Sequence, residues 1–217
     1  FVCERDQKAF PQLKGGLLSN MPTFPRHPAD YSASDGKTLL FVGFMSWQPN
    51  ISAVDHFLAH IWPKILEKTP TARFRIVGKA TPDNLRRWNA APNCAADGYV
   101  DDLDAAYKEA AVCVVPVLSG GGSNIKVPEA LAHNRPSVVS VYAFNGWRNY
   151  FVENQDLLVA HDDEAFATHC TALLTNRELA LKLAQNGHHN VLRTLSFNSF
   201  SKLIGDTLQS TFPTQTL

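Results

Sequence analysis

The chain has no surplus of either charge, since 20 Lys and Arg stand against 20 Asp and Glu for a formal net charge of zero. No basic surface advertises nucleic acid, so any anion site must be local. Cysteine is scarce as well. Cys3, Cys94, Cys113 and Cys170 are far apart and form no Cys-x-x-Cys pair, which argues against zinc and against a dense disulfide framework. No apolar run reaches the ~18 residues of a membrane span, and no signal sequence is visible. No Gly-x-Gly-x-x-Gly follows the first apolar run, where a dinucleotide-dependent enzyme would need it. The chain also opens on Phe1 rather than Met, so it is expected to be a piece of a longer protein, and the missing leader says little about location.

What is present is an alternation. From Thr38 onward, short apolar runs ending in turn residues are separated by helical patterns. The runs are Thr38–Gly43, Arg73–Gly78, a weak one near Ala95 to Val100, Val112–Pro116, Ser137–Ser140 and Leu157–Ala160. Strand and helix in alternation predict an α/β class domain, a Rossmann-like three-layer α/β/α arrangement on a parallel sheet. Ligands of such sheets sit at the carboxyl ends of the strands, at a switch point in strand order, which directs attention to the loops after Gly43, Gly78 and Pro116. Cys113 lies in an apolar run and reads as buried packing.

At 217 residues the chain has room for one large core or one domain plus a remnant. The opening stretch, 1–34, holds four of the thirteen prolines and no sustained periodicity, so it is expected to be a linker or the end of another domain, with the main domain at 35–217. Beyond Asp162 the pattern is helical to about Leu208, with candidates at Glu164–Leu174, Arg177–Leu195 and Ser199–Leu208, and no strand follows.

Between the first two runs, Ile51, Val54, Phe57, Leu58, Ile61, Trp62, Ile65 and Leu66 form one apolar helix stripe. His56 and His60 fall opposite it and lack the glutamate that a metalloprotease motif requires, so they read as a solvated face. His188 and His189 likewise read as surface. Asp101-Asp-Leu-Asp104 contains an Asp-x-Asp spacing, but it stands just before the helix Leu103 to Ala111, where acidic side chains cap free N–H groups.

The most informative stretch runs from Val112 to Leu131: a buried strand, then Gly120-Gly121-Gly122, then Ser123 and a short helix carrying Lys126 and Glu129. Glycines let backbone N–H groups approach a ligand, and a helix start adds unpaired donors, so the segment reads as an anion cradle. Pro128 lacks an N–H and fits only the first turn, which places the helix start near Asn124 with Asn124 or Ser123 as cap. Lys126 then sits in a first turn that disfavours a cation, a penalty an anionic ligand reverses, and Glu129 is suited to accept hydrogen bonds from sugar hydroxyls.

Taken together, Phe41-Val-Gly43, Pro49-Asn50, Ile76-Val-Gly78, Gly98-Tyr-Val-Asp-Asp-Leu103, Pro116 with the glycine loop, Lys126, Glu129-Ala-Leu-Ala132 and Arg135-Pro-Ser-Val-Val139 resemble a known family. It is the C-terminal, donor-binding half of family 4 retaining glycosyltransferases, which have the GT-B fold, and the likeness covers roughly Leu39 to Phe200. The resemblance implies transfer of a hexosyl unit from a nucleotide-diphosphate sugar to a saccharide or lipid acceptor. It assigns Lys126 and Glu129 as catalytic, Glu129 on the ribose hydroxyls, and Lys126 with the amides of Gly120, Gly121, Gly122 and Ser123 on the diphosphate. Gly43 and Ser46, in the loop from Phe44 to Trp47, border the diphosphate by the same analogy. Gly78 and Lys79 lie near the nucleoside, and Tyr99 and Val100 beside the base.

The implied reaction needs no metal or other cofactor, with the nucleotide sugar itself as substrate. The implied partners are that donor, the acceptor and an N-terminal acceptor domain absent from this chain; nucleic acid is not among them. The resemblance points to a cytoplasmic protein and allows peripheral membrane association of the full protein. The sequence departs from the family where the first of two glutamates eight apart would fall, at Gly121, and in the loop Phe44-Met-Ser-Trp-Gln, which lacks the usual Arg and Lys. These departures leave Lys126 as the main cation unless Lys79 or Arg148 joins it, and they keep two alternatives open. One is a non-catalytic nucleotide-binding or interaction module of the same fold; the other is a sugar-nucleotide epimerase.

Overall fold

The computed structural model describes residues 4–13, 18–27 and 30–211. Cys3 and residues 1–3, 14–17 and 28–29 of the opening segment lie outside the described residues. In chain order the elements are α1 (Glu4–Ala9), β1 (Thr38–Val42), α2 (Gln48–His56), α3 (Trp62–Lys68), β2 (Arg73–Val77), α4 (Pro82–Asn89), β3 (Cys94–Gly98) and α5 (Leu103–Glu109). They continue with β4 (Val112–Val115), α6 (Lys126–Ala132), β5 (Ser137–Ser140), α7 (Val141–Phe144), β6 (Leu158–Ala160), α8 (Asp163–Thr175), α9 (Arg177–Leu195) and α10 (Phe197–Thr211).

The six strands form one parallel sheet in the order β3-β2-β1-β4-β5-β6. The α/β Rossmann-like class expected from the alternation is therefore observed. Leu39 stands beside Phe74 on one side and Val112 on the other, so β1 and β4 occupy the centre, where the strand order reverses. Both faces are covered: Leu39 and Phe41 point into one apolar layer and Leu40 into the other, as strand alternation requires. The all-buried runs of β4 and β5 match this two-sided environment, and Cys113 is buried among them.

Local chemistry explains where elements depart from expectation. The weak third run ends early because Gly98 takes a positive φ of 75° and turns Tyr99 and Val100 out of the sheet. The single apolar helix after β1 is broken by a π turn over Phe57–Ile61, in which the Trp62 N–H reaches back to the Phe57 carbonyl. Pro63, next in line, has no N–H to continue the ordinary ladder, so the widened turn absorbs its absence. In the tail, α10 begins two residues before the expected Ser199, because Ser196 alone, in extended backbone, separates it from α9.

The described part of the opening segment lies against the domain at Tyr31. It contains α1 and packs Tyr31 beneath Arg135, whose fully buried guanidinium donates to the carbonyls of Asp30 (2.7 Å), Ala110 (3.2 Å) and His133 (3.1 Å). No helix among the described residues is long and apolar enough to cross a membrane.

Candidate functional site

A cleft of about 860 Å³ opens at the carboxyl ends of β1, β2 and β3 and against the loop after β4, at the switch point of the sheet. Its floor depends on a close approach of two strand ends. Gly78, with φ 145°, lies so near Gly43 that a Cβ there would stand 1.7 Å from the Gly43 oxygen. Above this floor the loop after β1 is tied down by the Met45 N–H to the Lys79 carbonyl (3.1 Å) and by the Asn50 amide to the Phe44 carbonyl (2.9 Å).

The structure splits the three glycines. Gly121, Gly122 and Ser123 line the cleft, but Gly120 does not. Its positive φ of 113° serves packing: a Cβ would meet the Pro49 ring at 2.7 Å and the Trp47 ring at 3.0 Å, and its carbonyl accepts from the Tyr142 hydroxyl. Gly120 thus gives the start of α2 a seat.

The helix start is corrected. Asn124 has a left-handed φ of 53°, so α6 begins at Lys126 with Ile125 at the cap position. Pro128 remains within the first turn, as its missing N–H demands. Asn124 instead offers its carbonyl to the Val127 N–H (2.9 Å) and to the indole N–H of Trp147 (3.2 Å), which pins the loop from behind.

Lys126 and Glu129, three apart on α6, both face the cleft. Lys126 is only 9% exposed, and its ammonium lies 5.8 Å from the Phe41 ring centroid and 5.9 Å from that of Trp47. Burial pulls its pKa down to about 8, against the attraction of Glu129. Glu129 shows the converse. Burial raises its carboxyl pKa, while the neighbouring Thr23 and, after it, the attraction of His133 and Lys126 oppose the rise. Two rings and one nearby carboxylate leave the ammonium under-solvated, so the cleft is prepared for an anion.

Of the other expected positions, Gly43, Ser46, Gly78, Lys79, Tyr99 and Val100 all line the same cleft. Arg148 is exposed and is not among the lining residues. Sequence reasoning missed Asn20, Asn124 and Leu103 in the lining, and Trp147 behind it. Asn50 was visible only as part of the Pro49-Asn50 motif, with no role attached.

The acidic stretch behaves as capping predicts: the Asp102 carboxylate accepts from the Ala105 N–H at 3.0 Å. Asp104 accepts from the Arg26 N–H (3.0 Å) and faces His133 (3.0 Å). His56 is not simply solvated; it is half-buried and pairs with Asp163 at 2.7 Å, beside His60. His188 is also half-buried, on the Leu131 carbonyl (3.1 Å), whereas His189 is exposed. Among the described residues no group of three or more His, Cys, Asp or Glu is placed to hold a metal ion.

Residues 36–176 match the family model of glycosyl transferases group 1. The chain belongs to that family. A Klebsiella pneumoniae relative, described as an uncharacterized 44.6 kDa protein in the cps region, is 23% identical over 177 residues, covering 77% of this chain and 43% of the relative. Among solved structures, the group 1 domain is similar to sucrose-phosphate synthase from Thermosynechococcus elongatus (TM-score 0.75, 16% identity, 99% of this chain and 58% of that one). It is also similar to Anabaena HepE in complex with UDP (TM-score 0.75, 13% identity, 96% and 62%). The pneumococcal O-GlcNAc transferase GtfA in complex with UDP and GlcNAc follows (TM-score 0.67, 16% identity, 96% and 43%). At these identities the likeness shows the fold, and the chain spans less than two thirds of each of these four relatives.

Proposed function

We propose that this group 1 domain is the donor-binding half of a family 4 type retaining glycosyltransferase, passing a hexosyl unit from a nucleotide-diphosphate sugar to a saccharide or lipid acceptor. The observation that carries the reading is the meeting of Lys126 and Glu129 in one cleft with the backbone of Gly121, Gly122 and Ser123. In this reading the domain proper is 35–217, residues 1–34 lead in from an N-terminal domain that holds the acceptor, and the protein works in the cytoplasm or against its membrane surface.

The chemistry follows from charge. When the bond from the anomeric carbon to the diphosphate breaks, its electron pair stays on the diphosphate oxygen. A fixed ammonium and fixed amide dipoles stabilise that growing charge more in the transition state than in the ground state. Lys126 supplies the ammonium where other transferases use a divalent ion, so no metal is called for. Glu129 accepts from the ribose hydroxyls, Gly43 and Ser46 border the diphosphate, Gly78 and Lys79 lie by the nucleoside, and the exposed ring of Tyr99 with Val100 and Leu103 flanks the base.

UDP is the ligand to try first, because two of the similar structures hold it. Calorimetric titration of the chain with UDP and GDP is expected to show binding. Glu129→Ala should weaken it about tenfold, the cost of losing hydrogen bonds to a charged group. Lys126→Ala should weaken it further. Undiminished binding in both variants would remove the site assignment.

A further inference from the structure

Two of the buried side-chain oxygens that find no hydrogen-bond partner among the described residues belong to residues lining the cleft: Asn50 Oδ1 and Asn124 Oδ1. Asn50 is 3% exposed and Asn124 7%. A buried acceptor left unpaired is costly, so native structures rarely keep one without a use for it. Asn50 is held in place. Its amide nitrogen bonds the Phe44 carbonyl (2.9 Å), and turning the side chain would break that tie. Asn124 is held only through its backbone. Its carbonyl accepts from the Val127 N–H (2.9 Å) and the Trp147 indole N–H (3.2 Å), while its side-chain amide makes no hydrogen bond to any described residue. That amide can turn on a fixed base without breaking a bond.

Room for a ligand group lies beside it. An added Cβ on Gly121 or Gly122 would meet nothing within 4 Å, so the cleft is open above the loop that ends in Asn124. In the donor reading the other polar groups already have tasks: Lys126 and the amides of Gly121, Gly122 and Ser123 answer the diphosphate, and Glu129 answers the ribose. Asn20 is directed at Ser123 Oγ (3.4 Å). The hydroxyls of the transferred sugar are left without a side chain, and a hydroxyl donates what an amide oxygen accepts. We infer that Asn124 is a specificity-determining residue for the transferred sugar, its amide oxygen turning into the cleft to accept from a hexosyl hydroxyl. The inference rests on the donor reading above. It adds that this half of the protein selects the sugar as well as holding the nucleotide.

The test measures, by calorimetry on the full chain, the affinity for a sugar nucleotide relative to that for its bare nucleotide. UDP-glucose, UDP-galactose and UDP-N-acetylglucosamine are set against UDP, and GDP-mannose against GDP. Wild type is compared with Asn124→Gly and Asn124→Asp, which both suit the left-handed backbone of residue 124 at φ 53°, so the loop keeps its course. Asn124→Gly removes the amide, and for the sugar nucleotide that wild type binds best the relative affinity is expected to fall about 3- to 10-fold. Asn124→Asp keeps an acceptor, so the relative affinity should stay at or above the wild-type value even where the added charge weakens both ligands. A ratio unchanged in Asn124→Gly would overturn the inference, since the amide would then serve the nucleotide or the loop alone. A ratio that falls as far in Asn124→Asp would overturn it as well, because an acceptor would then not be what the sugar needs. So would a wild type that binds UDP or GDP but none of the four sugar nucleotides. A wild-type chain that binds neither UDP nor GDP would take down the donor reading itself, and this inference with it.

Discussion

Replacing Lys126 with methionine is expected to make the empty domain more stable at neutral pH while removing its hold on a nucleotide diphosphate. The stability half follows from burial. A lysine whose pKa falls from its ordinary 10.5 to about 8 on folding is penalised in its charged form. That penalty is worth about 3 kcal/mol at most, and it is full at any pH below 8. Methionine has similar length, no charge to desolvate, and contacts for Phe41 and Trp47 that a thioether makes well. A gain of about 1–2 kcal/mol should raise the melting temperature by roughly 2–8 °C.

Between pH 8 and 10.5 the unfolded chain holds more protons than the folded one, so wild-type stability rises with pH there and the advantage of the variant shrinks. Thermal melts of both proteins at pH 7 and pH 10 check this. A Lys126→Met protein less stable than wild type at pH 7 would mean that the ammonium already has a strong partner, which the pocket's anion role does not allow.

The binding half carries its own pH signature. Below pH 8 the ammonium is in place before the ligand arrives. Above it, binding must take up a proton, so affinity for UDP should fall by up to about tenfold per pH unit. In Lys126→Met this slope disappears, and affinity at pH 7 drops about 100-fold, the scale of removing one charge from a buried ionic contact.

The fold was legible because periodicity and turn chemistry agree along most of the chain. Ser137–Ser140 stands as read, since an all-apolar centre bounded by breakers has only one place in a two-sided sheet. The cleft was legible for a related reason: Gly43, Lys79, Tyr99 and Gly121 each follow a strand end, and a parallel sheet gathers all such ends at one rim. What escaped was the purpose of individual residues. Gly120 and Gly122 both take positive φ, yet the first serves the Pro49 contact and the second lines the cleft. A glycine run does not distinguish a ligand's approach from a neighbouring helix's approach. Asn20 and the Asp163 partner of His56 escaped because a segment without regular structure has no period and a salt bridge between distant elements has no spacing. The β1 loop illustrates the middle case: its lack of Arg and Lys is plain in the sequence, but that aromatic rings take their place around Lys126 is a tertiary fact.

Gly78→Ala is expected to cost more than any other single methyl group added in this domain. At φ 145° an L side chain is strained in any surroundings, and here the new Cβ would lie 1.7 Å from the Gly43 oxygen and 2.8 Å from its carbonyl carbon. Neither partner can step aside cheaply. The Gly43 N–H is bonded to the Val77 carbonyl (3.0 Å) and the Gly78 N–H to the Gly98 carbonyl (2.8 Å), so separating them pulls on three adjacent strands at once. A loss of about 3–5 kcal/mol is expected, seen as a melting temperature roughly 10 °C or more below wild type. UDP binding should fail even where the protein folds, because the floor of the cleft is the contact being forced apart. Gly121→Ala is the matched control: its backbone is ordinary and nothing lies within 4 Å of the added carbon. That variant should melt within about 0.5 kcal/mol of wild type. A Gly78→Ala protein that melts like the Gly121→Ala control would show that the two strand ends do not meet as described, and the cleft built on them would lose its floor.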